Sequence, residues 1–316
     1  MRFIDFLNES NHKPKQLKRL SLTESDYTAQ PKTKDELAQI IKDYCEENGW
    51  NSDLNFIDTS LITDMSGLFG DEDVTDYGLS KFNGDISKWN VSNVEDMSEM
   101  FVRAESFNQP LNNWDVSNVK NMRCMFLSAV SFNQPLNNWD VSNVRYMDEM
   151  FSFAVSFNQP LNNWDVSSVK STERMFHGAK SFNQPLNNWD VSRVEDMVGM
   201  FAEAENFNQP LNGWDVSKVK HMSGMFSEAE NFNQPLNNWN VSNVEDMEAM
   251  FRNAKSFDQP LNNWDVSKVE DMIDMFYYAE KFNRSLDNWN VSRVKYMEDM
   301  FEGTKLRRLD NYPDWY

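Results

Sequence analysis

The chain has 316 residues, and its 50 acidic side chains against 30 basic ones give a formal charge of −20, which disfavours nucleic acid and anionic membrane surfaces as partners. Cys45 and Cys124 are the only cysteines, so no disulfide framework can hold the fold. No run approaches the ~18 apolar residues of a membrane-crossing helix.

Residues 1–31 read as a polar, mixed-charge tail. The opening MRFIDFLNESNHKPK lacks the apolar core of a secretory signal, and no lipid-attachment cysteine stands near it. The expectation is a cytoplasmic or virion-associated protein unless another route exports it. Thr33-Lys34-Asp35-Glu36 is a capping box. It opens an amphipathic helix through Leu37, Ile40, Ile41 and Tyr44 that Gly49 closes, so residues 32–49 are expected to form an N-terminal capping helix.

Residues 50–304 are expected to form a repeat array. A degenerate first coil occupies 54–69, about half a turn of extra chain follows over 70–80, and strict repeats begin at 82. Phe82 and each 25th residue after it, to Phe282, are phenylalanine; Trp89 to Trp289 keep the same step. In the unit from Phe107 to Ser131, Asn108-Gln109-Pro110 reads as a turn, because proline fixes φ and removes a donor. Leu111 to Val116 reads as a short strand with Trp114 and Val116 on one face. Val119, Met122, Met125, Phe126 and Ala129 follow at helical spacing, with Ser117 at the N-cap position. Ser92/Glu95, Ser192/Glu195, Ser242/Glu245 and Ser267/Glu270 complete capping boxes. No single unit can bury this many aromatics and methionines, whereas stacked units can. The expected fold is a right-handed α/β solenoid of short parallel strands and short helices. Residues 305–316, with Leu306, Leu309, Tyr312, Trp315 and Tyr316, are expected to cover its C-terminal end.

The unit LNNWDVSNVKNMRCMF resembles the BspA-like leucine-rich repeats. More narrowly, it resembles a bacterial surface-protein repeat that is also found in mycoplasma and phage proteins. The resemblance runs from about Leu54 to Thr304 and includes the entry TKDELAQIIKDYCEENG. It implies a leucine-rich-repeat-like array and a role in adhesion or in binding a protein or glycan. In addition, Leu7-Asn8-Glu9 and Leu22-Thr23-Glu24 resemble the head-targeting propeptides of tailed phages, which are cut after L-x-E. That resemblance implies the alternative of a virion-associated structural or packaged protein.

Catalytic signatures are absent: His12, His177 and His221 show no ligand spacing, and no phosphate loop or nucleophile elbow occurs. No enzyme, cofactor or metal is expected. Asp115, Asp140, Asp165, Asp190 and Asp215 recur in one column, which admits two readings. They could bind cations or a basic ligand, or each could accept hydrogen bonds from nearby backbone. Asn90, Asn240 and Asn290 stand in the same column, which favours the second. The methionines read as core filler. The variable positions lie on the expected helix side, where Tyr146, Phe153, Tyr277, Tyr278 and Tyr296 replace residues that are mostly polar in other copies. These five are the candidate ligand-binding residues, since exposed aromatics can anchor a partner.

Overall fold

A computed structural model describes residues 29–308 and 312–316. The tail through residue 28 lies outside the described residues, and with it both L-x-E segments and His12; so does Leu309.

Helix α1 spans Lys34–Asn48. The Thr33 side chain accepts from the amide of Glu36 at 3.2 Å, and the Gly49 amide, at φ 95°, returns to the Cys45 carbonyl at 2.8 Å. Leu37, Ala38, Ile40, Ile41 and Cys45 are buried and join the common core. Lys34 reaches Asp64 and Ser66 at 2.8 and 2.6 Å, and the Tyr77 hydroxyl donates to Asp35 at 2.7 Å. These bonds tie α1 to the first coil, which Ala29 also joins through a parallel bridge to Ile57.

From there the 25-residue units stack, each on the equivalent residues of the next. Phe101 lies on Phe126 with centroids 5.4 Å apart and planes within 1°, and Phe132 lies on Phe157 at 6.0 Å. Trp139 lies on Trp164 at 6.3 Å. Each indole also donates backwards to a carbonyl of the preceding unit, as Trp139 does to Leu111 at 2.9 Å. The buried indole N–H is thereby satisfied, which lets a polar aromatic occupy a core column. The methionines, valines and phenylalanines facing this core are almost wholly enclosed.

Within a unit, the secondary structure differs from the sequence expectation. Among the described residues, α-helix is confined to α1 and to α2, Lys305–Arg308. The segment from Val119 to Ala129 is a run of turns: Met125 N–H bonds Met122, Leu127 bonds Cys124 and Ala129 bonds Phe126, each three residues back. Two residues per unit hold positive φ, as Cys124 (53°) and Ser128 (57°) do, which a right-handed helix forbids. The amides of Met122, Cys124, Phe126 and Ser128 instead donate to Tyr146, Asp148, Met150 and Ser152 of the next unit, at 2.8–2.9 Å. Inward residues therefore recur every three positions, a spacing that overlaps the helical one.

The expected strand is displaced as well. Leu111 to Val116 forms no strand: Asn112 and Asn113 make a turn, closed by Trp114 N–H bonding Leu111 at 3.0 Å. Parallel bridging falls five residues later, at Asp96, Asn121 and Tyr146 and again from Ser171 to Tyr296. No bridge joins Tyr146 to Ser171. That is where Thr172 replaces the inward methionine, its hydroxyl lying 3.3 Å from the Met200 sulfur.

The capping-box residues have other duties. Glu95, Glu195 and Glu270 bind the lysines 25 positions on, Lys120, Lys220 and Lys295, at 2.6–2.7 Å. A second inter-unit ladder runs through asparagine: the Asn108 side chain accepts from the amide of Asn133 at 3.0 Å and from Gln134 at 3.1 Å. Where Asp258 replaces asparagine, Arg284 replaces glutamine and meets it at 2.9 Å.

Candidate binding surface

Side chains that fall between the inward ones line the outer face of the turn run. Tyr146, Phe153, Tyr278 and Tyr296 are exposed there, by 44, 37, 43 and 51 %. Tyr277 is only half-buried. The five do not converge on one point. Tyr146 carries the Arg123 guanidinium 4.6 Å above its ring, and that arginine is fixed by Asp148 at 2.6 Å. Tyr277 carries Arg252 at 5.2 Å, fixed by Asp274 at 3.0 Å, and its ring meets Tyr278 at 4.7 Å. Each pair sets a part-exposed, carboxylate-held guanidinium over a π face, an arrangement that orders both side chains. Tyr296 stands alone on the last full unit.

Phe153 and Tyr278 share a feature that the residue pattern alone did not single out. Both hold positive φ, 54° and 53°, which is costly for a bulky side chain. Each is followed one unit later by a glycine, Gly178 and Gly303. A Cβ at Gly178 would come within 2.5 Å of the Phe153 ring, and one at Gly303 within 2.8 Å of the Tyr278 ring. The rings thus lie against bare backbone. The signal was present in the sequence as an aromatic–glycine pair at a 25-residue separation.

Glu203, Glu228 and Asn253 occupy the same register between the two aromatics, and the sequence reading passed over them. His177 contacts Glu203 at 3.2 Å and the Phe153 ring at 4.6 Å. On the neighbouring bridge column, burial raises the Asp246 carboxyl above its ordinary value, and nearby Asp271 adds to the effect. Buried in the break between units, Asp148 Oδ1 and the Ser152 hydroxyl find no partner.

The aspartate column lies elsewhere on the unit. Asp115, Asp140, Asp165, Asp190 and Asp215 each accept the amide of the serine two residues on, at 3.0–3.1 Å. Asn90, Asn240 and Asn290 accept the same bond at 3.1–3.2 Å. The serine hydroxyl and amide hold Asp190 and Asp215 below the ordinary carboxylate value. Among the described residues no group of three or more histidines, cysteines and carboxylates could hold a metal ion, and no helix is long and apolar enough to cross a membrane.

A family model described as "Mycoplasma protein of unknown function, DUF285" matches residues 37–159, 118–214 and 204–315. The chain belongs to this family. The three DUF285 matches overlap and together span residues 37–315, which take in most of α1, the stacked units and the C-terminal segment. No protein of curated function matches the chain.

Proposed function

We propose that this DUF285 protein is a non-enzymatic scaffold, a right-handed solenoid of the leucine-rich-repeat kind that presents a binding surface to a protein or glycan. The observation that carries the proposal is the division of labour within the unit. The columns that build the core repeat almost without change, while the ordered aromatics stand in columns that vary and are exposed or half-buried. Such a division suits a molecule whose stability is a sum over neighbours and whose specificity is written on one face. Interfaces draw most of their affinity from a few anchored aromatic and arginine side chains.

Two experiments test it. A panel of hydrolase and transferase assays is expected to show no turnover; robust turnover abolished by a single point mutation would overturn the non-enzymatic reading. Changing Tyr277 and Tyr278 to Ser is expected to weaken a captured partner by more than ~1 kcal/mol, while Asp165→Asn leaves it unchanged. The reverse pattern would move the binding surface to the aspartate column.

A further inference from the structure

We infer that the register running from Phe153 to Tyr278 is a binding track for a neutral polysaccharide, an inference that deepens the scaffold reading by naming a ligand class. At 25-residue steps the register reads Phe153, Gly178, Glu203, Glu228, Asn253, Tyr278 and Gly303. Every one of these except Gly303 ties its amide to the next unit at 2.6–2.7 Å, through His177, Ala202, Ser227, Arg252, Tyr277 and Glu302. The side chains therefore leave a stiff, evenly stepped backbone. At a rise of ~4.8 Å per unit, the two aromatics stand ~24 Å apart.

The chemistry along the track is that of sugar recognition. Each aromatic is seated on a glycine and remains exposed, so it offers a flat π surface of negative quadrupole to the polarised C–H groups of a pyranose ring. Between them Glu203, Glu228 and Asn253 supply carboxylate and amide groups for hydroxyls. Two matched platforms joined by a polar line suit a ligand of repeating units, which can engage both at once. A protein interface has the opposite layout, with apolar and aromatic groups at the centre and polar ones at the rim. Charge selects within the class: Glu203 and Glu228, on a chain of net charge −20, repel sulfated or carboxylated polymers.

The test uses the full chain in native gels containing hydroxyethylcellulose, galactomannan or soluble starch, with polygalacturonate as the anionic polymer. The decisive variant is Phe153→Gly with Tyr278→Gly. Glycine suits the positive φ at both positions, so the rings are lost without straining the backbone. The wild type is expected to be retarded by at least one neutral polymer. The paired variant should bind about tenfold more weakly or worse, and each single variant should lose less than the pair. Phe153→Tyr and Tyr278→Phe, which keep the rings, should retain the retardation. No retardation by any of the three neutral polymers, retention by polygalacturonate alone, or binding indifferent to the glycine pair overturns the inference. If none of the neutral polymers binds but a protein partner is lost in the Tyr277 and Tyr278 serine variant, the polysaccharide is wrong and the scaffold reading stands.

Discussion

Trp315 lies on Trp289 with centroids 6.3 Å apart and planes within 8°, and its indole donates to the Leu286 carbonyl at 3.0 Å. Those are the contacts Trp289 itself makes with Trp264 and the Leu261 carbonyl, so a residue one step out of register supplies the C-terminal end with an additional indole. Tyr312 and Tyr316 complete the cover over Phe301, at 6.2 and 5.0 Å. Trp315→Ala is expected to cost about 2 kcal/mol, less than a fully buried tryptophan because one side is open. The loss should be local. Hydrogen exchange should show faster amides over residues 282–304 and unchanged protection in the central units; uniform loss along the chain would contradict nearest-neighbour coupling.

A central indole should behave differently. Trp189 stacks on Trp214 at 6.4 Å and bonds the Leu161 carbonyl at 2.9 Å, so it joins three successive units. Trp189→Ala is expected to cost about 3–5 kcal/mol and to split unfolding into two phases. Trp289→Ala should leave most units folded. Equal loss of circular dichroism in both variants, in one cooperative step, would argue against a linear array.

The aromatic columns are legible in the sequence because a 25-residue step without a slip has no other economical explanation. Helix α1 is legible because Thr33 and Gly49 mark both ends. The path within a unit is not. Val119, Met122 and Met125 are inward residues at three-residue spacing, and successive turns produce that spacing as readily as a helix does. What separates the two is the positive φ at positions such as Glu99 and Asp274, and those residue types do not announce it as glycine would. The aromatic candidates could be named from their departure from polar columns. Their seats on Gly178 and Gly303 required the stack, since they join residues of different units.

Acid should act on two groups in opposite senses. Asp190, Asp215 and Asp265 are held below the ordinary carboxylate value by the serine hydroxyl and amide that follow each. Their contribution is present above the unfolded value of about 3.9 and is lost as pH falls through the lowered one. Asp246 is raised, by burial first and by Asp271 and Asp196 next, with His221 and the Glu248 amide opposing. Its ionised form therefore weakens the fold at neutral pH, and the penalty fades as pH falls to the unfolded value. Asp246→Asn is expected to raise Tm at pH 7, with the gain closing by about pH 4. A gain that grew on acidification would reverse the assignment.

The turn geometry couples Phe153 to Gly178. Gly178 holds φ 65°, and a Cβ there would sit 2.5 Å from the Phe153 ring. Gly178→Ala thus meets two penalties, the left-handed backbone and the clash, and is expected to cost about 2 kcal/mol. Phe153→Gly relaxes its own positive φ, so alone it should be close to neutral: lost ring contacts offset the relieved backbone, and beside Gly178→Ala it also removes the clash. Combined, the two should recover roughly half of the alanine penalty, because only the backbone part remains. Urea denaturation of the four proteins in the cycle measures this directly, and the coupling between sites in contact should reach about 1 kcal/mol. Strict additivity would mean that the ring does not rest on Gly178. The same cycle at Tyr278 and Gly303 should give a coupling of the same sign, since the geometry there is repeated five units on.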